Sequence, residues 1–131
     1  MKKLFFIFVA LGALVLGSFA FEANASRENR IQQATMKFDK AVSVHGVLLA
    51  PGMYTFVHDG DSMARGEACT FIYKGYGAVS DKLVVSFHCT PAERTKAQHF
   101  MLRSAELPTG VVELREYQFK GDTEAHLVPA P

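Results

Sequence analysis

Apolar and polar residues alternate with a two-residue period along most of the chain after residue 26, and no window there keeps a 3.6-residue apolar period. Such alternation places apolar side chains on one face of a strand, so it predicts β-structure. Phe38 and Val42 share one phase, and Tyr54 and Phe56 share the phase of the next segment. Turn signals separate the segments at intervals of about 8–12 residues, which is typical of antiparallel all-β domains. We therefore expect a single domain of about seven strands over residues 35–131, folded as an antiparallel β-sandwich or a partly open barrel.

One segment departs from strand character and carries the signals of a helix start. Thr90 suits a helix N-cap, Pro91 suits the first helical position, and Glu93 follows the cap by three residues. These residue types are favoured there because they satisfy, or lack, the backbone N–H groups that have no partner inside a helix. Strand character returns soon afterwards, so we expect only one short helical turn near residues 91–97.

The alternation also slips once near the end of the chain. Val112 and Leu114 share one phase, whereas Tyr117 and Phe119 share the other. An extra residue inserted in one strand of an antiparallel pair changes the phase in this way. The slip therefore predicts a β-bulge near Arg115-Glu116.

The beginning of the chain carries a different pattern. Two lysines precede an apolar run from Leu4 to Leu16 that contains one glycine, and the small-residue site Ala23-Asn24-Ala25 follows. A positive start, an apolar segment and an A-x-A site describe a secretory signal peptide, here residues 1–25. We expect export to the periplasm or to the extracellular medium, with no stable membrane insertion after cleavage. An uncleaved anchor is the alternative, because residues 4–21 are nearly long enough to span a bilayer.

The residues after the predicted signal peptide have a different charge balance from the whole chain. The whole chain is 49% hydrophobic and has a formal charge of +1. Two of its 14 basic residues and one of its 13 acidic residues lie in residues 1–25, which leaves 12 of each sign in the remainder. A neutral domain has no field that attracts nucleic acid, so no nucleic-acid partner is expected. Residues 26–34 are mostly polar, and we expect them to form a flexible N-terminal arm.

Two cysteines, Cys69 and Cys89, are the only ones in the chain. Cysteines of exported proteins usually pair, so we expect one disulfide between them. An antiparallel hairpin would place Cys69 opposite Cys89, Phe71 opposite Phe87 and Tyr73 opposite Val85 on one apolar face. The competing interpretation is a reactive or metal-binding thiol that uses His88. Adjacent residues of a strand point to opposite faces, which disfavours a joint site of His88 and Cys89.

Histidine supplies the only specific chemical hypothesis. His99 and Met101 are two residues apart, which places both side chains on one face if the segment is a strand. Imidazole and thioether are ligands that copper accepts, and exported proteins encounter copper. His58 and His88 end or interrupt strands and are further candidate ligands. The competing interpretation makes His99 and Met101 ordinary surface residues.

The segment from Lys37 to Phe56, KFDKAVSVHGVLLAPGMYTF, contains a strand, a Pro/Gly turn and a second strand. It resembles a motif of small exported bacterial β-proteins of unknown function, F-x-x-x-V-x-V-x-G-x-x-L-P-A-G-x-Y-x-F. The residues that fit are Phe38, Val42, Val44, Gly46, Leu49, Gly52, Tyr54 and Phe56. Ala50-Pro51 and Met53 depart from the pattern, and the ending EYQFKGDTEAHLVP is similar to some such proteins. The resemblance implies an exported β-domain and carries no catalytic residue.

The patterns of common enzyme classes are missing from the sequence, which contains no G-x-x-x-x-G-K-[ST], no G-x-S-x-G and no H-E-x-x-H. We therefore expect a non-enzymatic exported β-domain, an envelope or extracellular binding or structural module with an unknown ligand or protein partner and no cofactor. Its edge strands are able to support self-association. Two alternatives stay open. One is a periplasmic metal-binding protein of the copper type, and the other is a small hydrolase or isomerase on a β-barrel.

Overall fold

The computed structural model describes residues 31–131, and these form ten strands, one short helix and a 3-10 turn. The strands are β1 (Ile31–Phe38), β2 (Val42–Val44), β3 (Val47–Leu49), β4 (Gly52–Asp59), β5 (Thr70–Lys74), β6 (Leu83–Phe87), β7 (Thr90–Glu93), β8 (Met101–Glu106), β9 (Val112–Gln118) and β10 (Glu124–Leu127). The helix α1 (Gly60–Ala64) follows β4, and the 3-10 turn (Ser80–Lys82) precedes β6. The predicted all-β class is confirmed.

The ten strands of the described residues form two sheets. One sheet has the order β1-β4-β5-β6, with antiparallel neighbours throughout. The other has the order β3-β2-β9-β10-β7, and β8 also pairs with β9. Only the pairing of β2 with β9 is parallel among these described strands. Phe56 of the first sheet and Tyr117 of the second are both fully buried, with ring centroids 5.5 Å apart. The two apolar faces therefore bury each other, as in a β-sandwich.

The predicted β-bulge is present in β9. Arg103 of β8 pairs with Glu116, whereas the next residue, Ser104, pairs with Leu114. Arg115 is thus the extra residue, and its side chain is exposed. The insertion turns Tyr117 toward the core in the phase that the sequence predicts.

The hairpin of β5 and β6 has a different register from the predicted one. Phe87 pairs with Thr70 and not with Phe71. A slip of one residue moves every side chain of a strand to the other face. Thr70 and Ile72 are consequently fully buried, whereas Phe71 is half-buried. The polar Thr70 is tolerated inside because its hydroxyl is hydrogen-bonded to the hydroxyl of Tyr117.

The predicted helical turn near residues 91–97 is wrong. Thr90–Glu93 forms β7, which pairs with β10 at the outer edge of the second sheet. The following segment makes its backbone hydrogen bonds to the turn after β9, for example from Ala97 N to Asp122 O at 3.0 Å. Pro91 lacks an N–H group, which an outer strand tolerates. Long-range pairing therefore outweighs the local helix-start signal.

The predicted flexible arm is a strand where it falls within the described residues. Its residues 31–34 lie in β1, which pairs with β4 along its whole length. An outer strand needs only one apolar face, and Ala34 and Met36 supply it by packing against the core. The predicted signal peptide (1–25) and the first part of the arm (26–30) lie outside the described residues. Among residues that the structure does describe, no helix has the length and apolar character to cross a membrane.

Glu116 on β9 connects two arginines from other parts of the chain. Arg94 donates hydrogen bonds to both of its carboxylate oxygens, at 2.9 and 3.1 Å, and Arg103 donates another at 2.8 Å. The Glu116 residue itself is only 8% exposed. The hydrogen bonds from Arg94, together with the charges of both arginines, hold the pKa of Glu116 below its usual range despite the opposing effect of burial.

Replacing Glu116 with Gln is expected to destabilise the fold by about 1 kcal/mol near neutral pH, a figure that allows for solvent screening of the half-exposed arginines. A carboxyl whose pKa is lowered by folding contributes stability above its unfolded pKa, and this contribution is lost as the pH falls through the folded pKa. The difference between the wild type and Glu116→Gln should therefore be largest near pH 7 and disappear in acid. Urea unfolding over a pH series measures it, with the exposed Glu106→Gln as control. A difference that does not change with pH would contradict this account.

The turn between β2 and β3 lies against the end of the chain. Gly46 has a φ of +78°, and a Cβ atom built on it would lie 2.8 Å from Cβ of Pro131. The neighbouring His45 places Nδ1 3.1 Å from the carbonyl oxygen of Pro129. The space beside Gly46 is thus occupied by the C-terminal segment.

Gly46→Ala is expected to destabilise the protein by about 1–3 kcal/mol more than Gly66→Ala, because overpacking adds to backbone strain at residue 46 only. Gly66 has a similar φ of +72°, and no atom of the described residues lies within 4 Å of the added Cβ. Both variants therefore have the backbone strain of a positive φ, but only Gly46→Ala also brings the added Cβ against Pro131. Equal losses in urea unfolding would show that the contact with Pro131 has no energetic weight.

Candidate metal centre

Three side chains with ligand atoms meet at one end of the first sheet. His58 lies near the end of β4, Cys69 directly precedes β5, and Cys89 lies between β6 and β7. Strand pairing brings them together, since Asp59 N donates to Cys69 O at 2.8 Å and Cys69 N donates to Phe87 O at 3.0 Å. The ligand atoms of the three residues lie within 4.8 Å of one another. His58 is 2% exposed, and both cysteines are fully buried.

The predicted disulfide is not formed, because Cys69 and Cys89 are free thiols. Their sulfur atoms lie 2.7 Å apart, whereas a covalent S–S bond is about 2.05 Å long. The backbone N–H of Cys89 also donates to Sγ of Cys69 at 3.1 Å. The one-residue shift between β5 and β6 means that Cys69 and Cys89 are not directly opposite each other as predicted, although their sulfur atoms remain adjacent.

The two thiols differ in acidity because they share one hydrogen bond. The hydrogen bond from Cys89 holds the pKa of the Cys69 thiol well below its usual value, and His58 lowers it further against the effect of burial. The same hydrogen bond, followed by burial, raises the pKa of the Cys89 thiol. The thiolate is the form of cysteine that binds metal ions.

Two buried imidazoles lie beside the thiols. The rings of His58 and His126 stack with centroids 3.9 Å apart. Nδ1 of His126 lies 3.6 Å from Sγ of Cys89 and 3.9 Å from a carboxylate oxygen of Glu124. Burial, with a smaller effect of the His58 charge, lowers the pKa of His126 to about 3. His126 is therefore neutral at physiological pH.

Three nitrogen atoms of these rings have no well-aligned hydrogen bond to any group in residues 31–131. They are Nδ1 and Nε2 of His58 and Nε2 of His126, and all three are buried. The His58 ring interacts with the Cys69 thiol and lowers its pKa, through a side-chain hydrogen bond and through its charge, but this contact does not form a well-aligned hydrogen bond to either ring nitrogen. A buried polar atom without a partner costs about 1–3 kcal/mol, so such atoms in a native protein call for an explanation. A neutral imidazole nitrogen offers a lone pair, which a metal ion accepts.

Only one of the four predicted metal ligands belongs to this cluster, namely His58. His88 follows β6, is exposed, and has Nδ1 2.8 Å from the carbonyl oxygen of Glu67. His99 is exposed and precedes β8, and Met101 is the first residue of that strand. The expectation that His99 and Met101 share one strand is wrong, because β8 begins after His99.

Sequence reasoning assigned the cysteines a different role and missed His126. One signal was present in the sequence. His58 continues the phase of Tyr54 and Phe56, which is the apolar, inward phase of β4. A histidine in that phase is a buried polar group, and buried polar groups need partners. The proximity of Cys69 arises from pairing between strands and has no signal within the sequence of β4.

Comparison with models of known protein families, with curated proteins and with solved structures finds no match to this chain. The resemblance of residues 37–56 to small exported β-proteins therefore stays a prediction.

Replacing His58 with Phe is expected to stabilise the metal-free protein by about 1 kcal/mol, since it removes two buried nitrogens without well-aligned hydrogen bonds and keeps a planar ring. Tyr54→Phe is the matched comparison, because the buried hydroxyl of Tyr54 donates to the carbonyl oxygen of Ala50 at 2.6 Å. Losing that satisfied hydrogen bond should destabilise the protein by about 1 kcal/mol. Urea unfolding of the reduced, metal-free proteins measures both values. Destabilisation by His58→Phe would contradict the interpretation of the imidazole as unpartnered.

Proposed function

We propose that this protein is a non-enzymatic β-domain that binds a soft transition-metal ion at His58, Cys69 and Cys89, acting outside the cytoplasm. The observation that carries the proposal is the cluster of His58, Cys69 and Cys89, whose ligand atoms lie within 4.8 Å of one another, while neither nitrogen of the buried His58 ring has a well-aligned hydrogen bond among the described residues. The domain would then be both an exported binding module and a metal-binding protein. Its ligands would be Cys69 and Cys89 with His58, and not His99 and Met101.

The donor set favours soft or borderline ions. Two cysteine sulfurs and one imidazole nitrogen suit Cu(I) and Zn(II), whereas Ca²⁺ and Mg²⁺ prefer oxygen ligands. Each thiol would lose its proton to solvent when the ion binds, because ligating cysteines are deprotonated.

Binding requires a small movement of the sulfurs. Two metal–sulfur bonds of about 2.3 Å at a tetrahedral angle place the sulfur atoms roughly 3.8 Å apart. The present separation of Sγ atoms is 2.7 Å, so the cysteine side chains would part by roughly 1 Å to admit the ion. The hydrogen bond from Cys89 N to Sγ of Cys69 suits a metal-bound thiolate, which accepts hydrogen bonds.

His126 supports the arrangement as a neighbour of the ligands. Its ring stacks on His58 at 3.9 Å between centroids and limits the rotation of that ring. Its own position is maintained by Tyr117, whose ring centroid lies 5.0 Å away. Groups that orient metal ligands contribute to affinity although they do not bind the ion.

Titration of the reduced protein under anaerobic conditions with Cu(I) and Zn(II), in competition with chelators, tests the proposal. We expect a dissociation constant below about 1 μM for at least one ion. His58→Gln and Cys69→Ser should each weaken binding by about ten-fold or more, since each removes one ligand. His99→Gln is the matched control, because His99 is exposed and lies outside the cluster.

Metal binding should also raise the stability of the wild type by about 2.7 kcal/mol when the free ion is present at 100 times its dissociation constant. The proposal fails if neither ion binds more tightly than about 1 μM. It also fails if His99→Gln weakens binding as much as His58→Gln does.

A further inference from the structure

A surface pocket of about 290 Å³ lies beside the proposed metal centre. Its lining includes Met63, His88, Cys89 and Pro91. Cys89 belongs to both the pocket and the proposed centre, whereas His58 and Cys69 do not line the pocket. Of the three proposed ligands, Cys89 is therefore the residue next to this pocket.

The sulfur of Met63 lies next to the sulfur of Cys89. Sδ of Met63 lies 3.8 Å from Sγ of Cys89, and Met63 is partly buried against the core. A thioether has no proton to lose and is a soft, neutral donor. Met63 therefore offers a further donor on the pocket side of the proposed centre.

The local fold holds Met63 in place. Met63 lies on α1, which begins two residues after His58. The Asp59 side chain caps this helix by accepting hydrogen bonds from Asp61 N at 3.0 Å and Ser62 N at 3.3 Å. One capped turn thus positions both His58 and Met63 relative to Cys89.

We infer that Met63 is an additional ligand of the proposed centre, that it makes the centre selective for a monovalent soft ion such as Cu(I) or Ag(I), and that the pocket is the route of entry. This inference rests on the proposed function. The selectivity follows from the ligand types, because thioethers favour Cu(I), whereas Zn(II) in proteins is bound by thiolate, imidazole and carboxylate.

Ion binding at this site conserves the oxidation state of the metal. Each cysteine that binds the ion releases its proton to solvent, while Met63 and His58 contribute lone pairs and release none. Met63 therefore adds a bond to sulfur without adding negative charge to a buried site, and the preference for Cu(I) follows from the softness of the thioether.

Met63→Leu tests the inference, since Leu keeps nearly the same volume and lacks the sulfur. We expect the affinity for Cu(I) and Ag(I) to fall by about ten-fold and that for Zn(II) to change by less than about two-fold. X-ray absorption of the Cu(I)-loaded protein should show one sulfur neighbour fewer in the variant. Met101→Leu, a partly buried methionine outside the centre, should change none of these values.

The outcomes separate this inference from the proposed function. Absence of binding by the wild type would overturn both. Binding by the wild type that Met63→Leu leaves unchanged, or equal weakening for Cu(I) and Zn(II), would overturn the role of Met63 while the centre itself stands. Urea unfolding of the metal-free variant checks that Met63→Leu retains the fold, and the sulfur count from X-ray absorption decides the role of Met63 if stability falls.

Discussion

The burial of Tyr117 between the two sheets links the core of the domain to its candidate metal centre. The ring of Tyr117 packs edge-on against Phe56, with centroids 5.5 Å apart, and lies 5.0 Å from the ring of His126. Its hydroxyl is hydrogen-bonded to Thr70, the residue after Cys69. Burial raises the pKa of Tyr117 well above its usual value, so the group stays protonated and remains available for that hydrogen bond. One side chain thereby fixes the position of both β5 and β10 beside the cluster.

Fold class and the bulge could be predicted because both depend on local alternation. The extra residue Arg115 changes the phase of one strand, and the change is visible within β9 itself. The register of β5 against β6 could not be predicted in the same way. The alternation of Phe71 and Tyr73 indicated an apolar face, but the hydrogen bond between Thr70 and Tyr117 joins residues 47 positions apart. Thr70 can face the core because its hydrogen-bond partner lies in the other sheet. The sequence of the hairpin alone therefore predicts the wrong inward face for β5.

The candidate site was less predictable than the fold for a related reason. Its residues come from the ends of different strands, and the sequence separation between Cys69 and Cys89 says nothing about which third residue lies beside them. The same two cysteines were assigned to a disulfide on the basis of the expected compartment, whereas the structure has them as thiols next to an imidazole. His58 was a candidate ligand because it lies near the end of a predicted strand. The pairing of β4 with β5 places it opposite Thr70, next to Cys69.

Pro91 affects how the domain meets other copies of itself. It lies in β7, the outer strand of the second sheet among the described residues, opposite His126 of β10. An outer strand with a complete set of N–H groups is a template for a strand of another molecule, and proline interrupts that template. Edge-to-edge aggregation is therefore disfavoured at the side of the domain that carries the pocket.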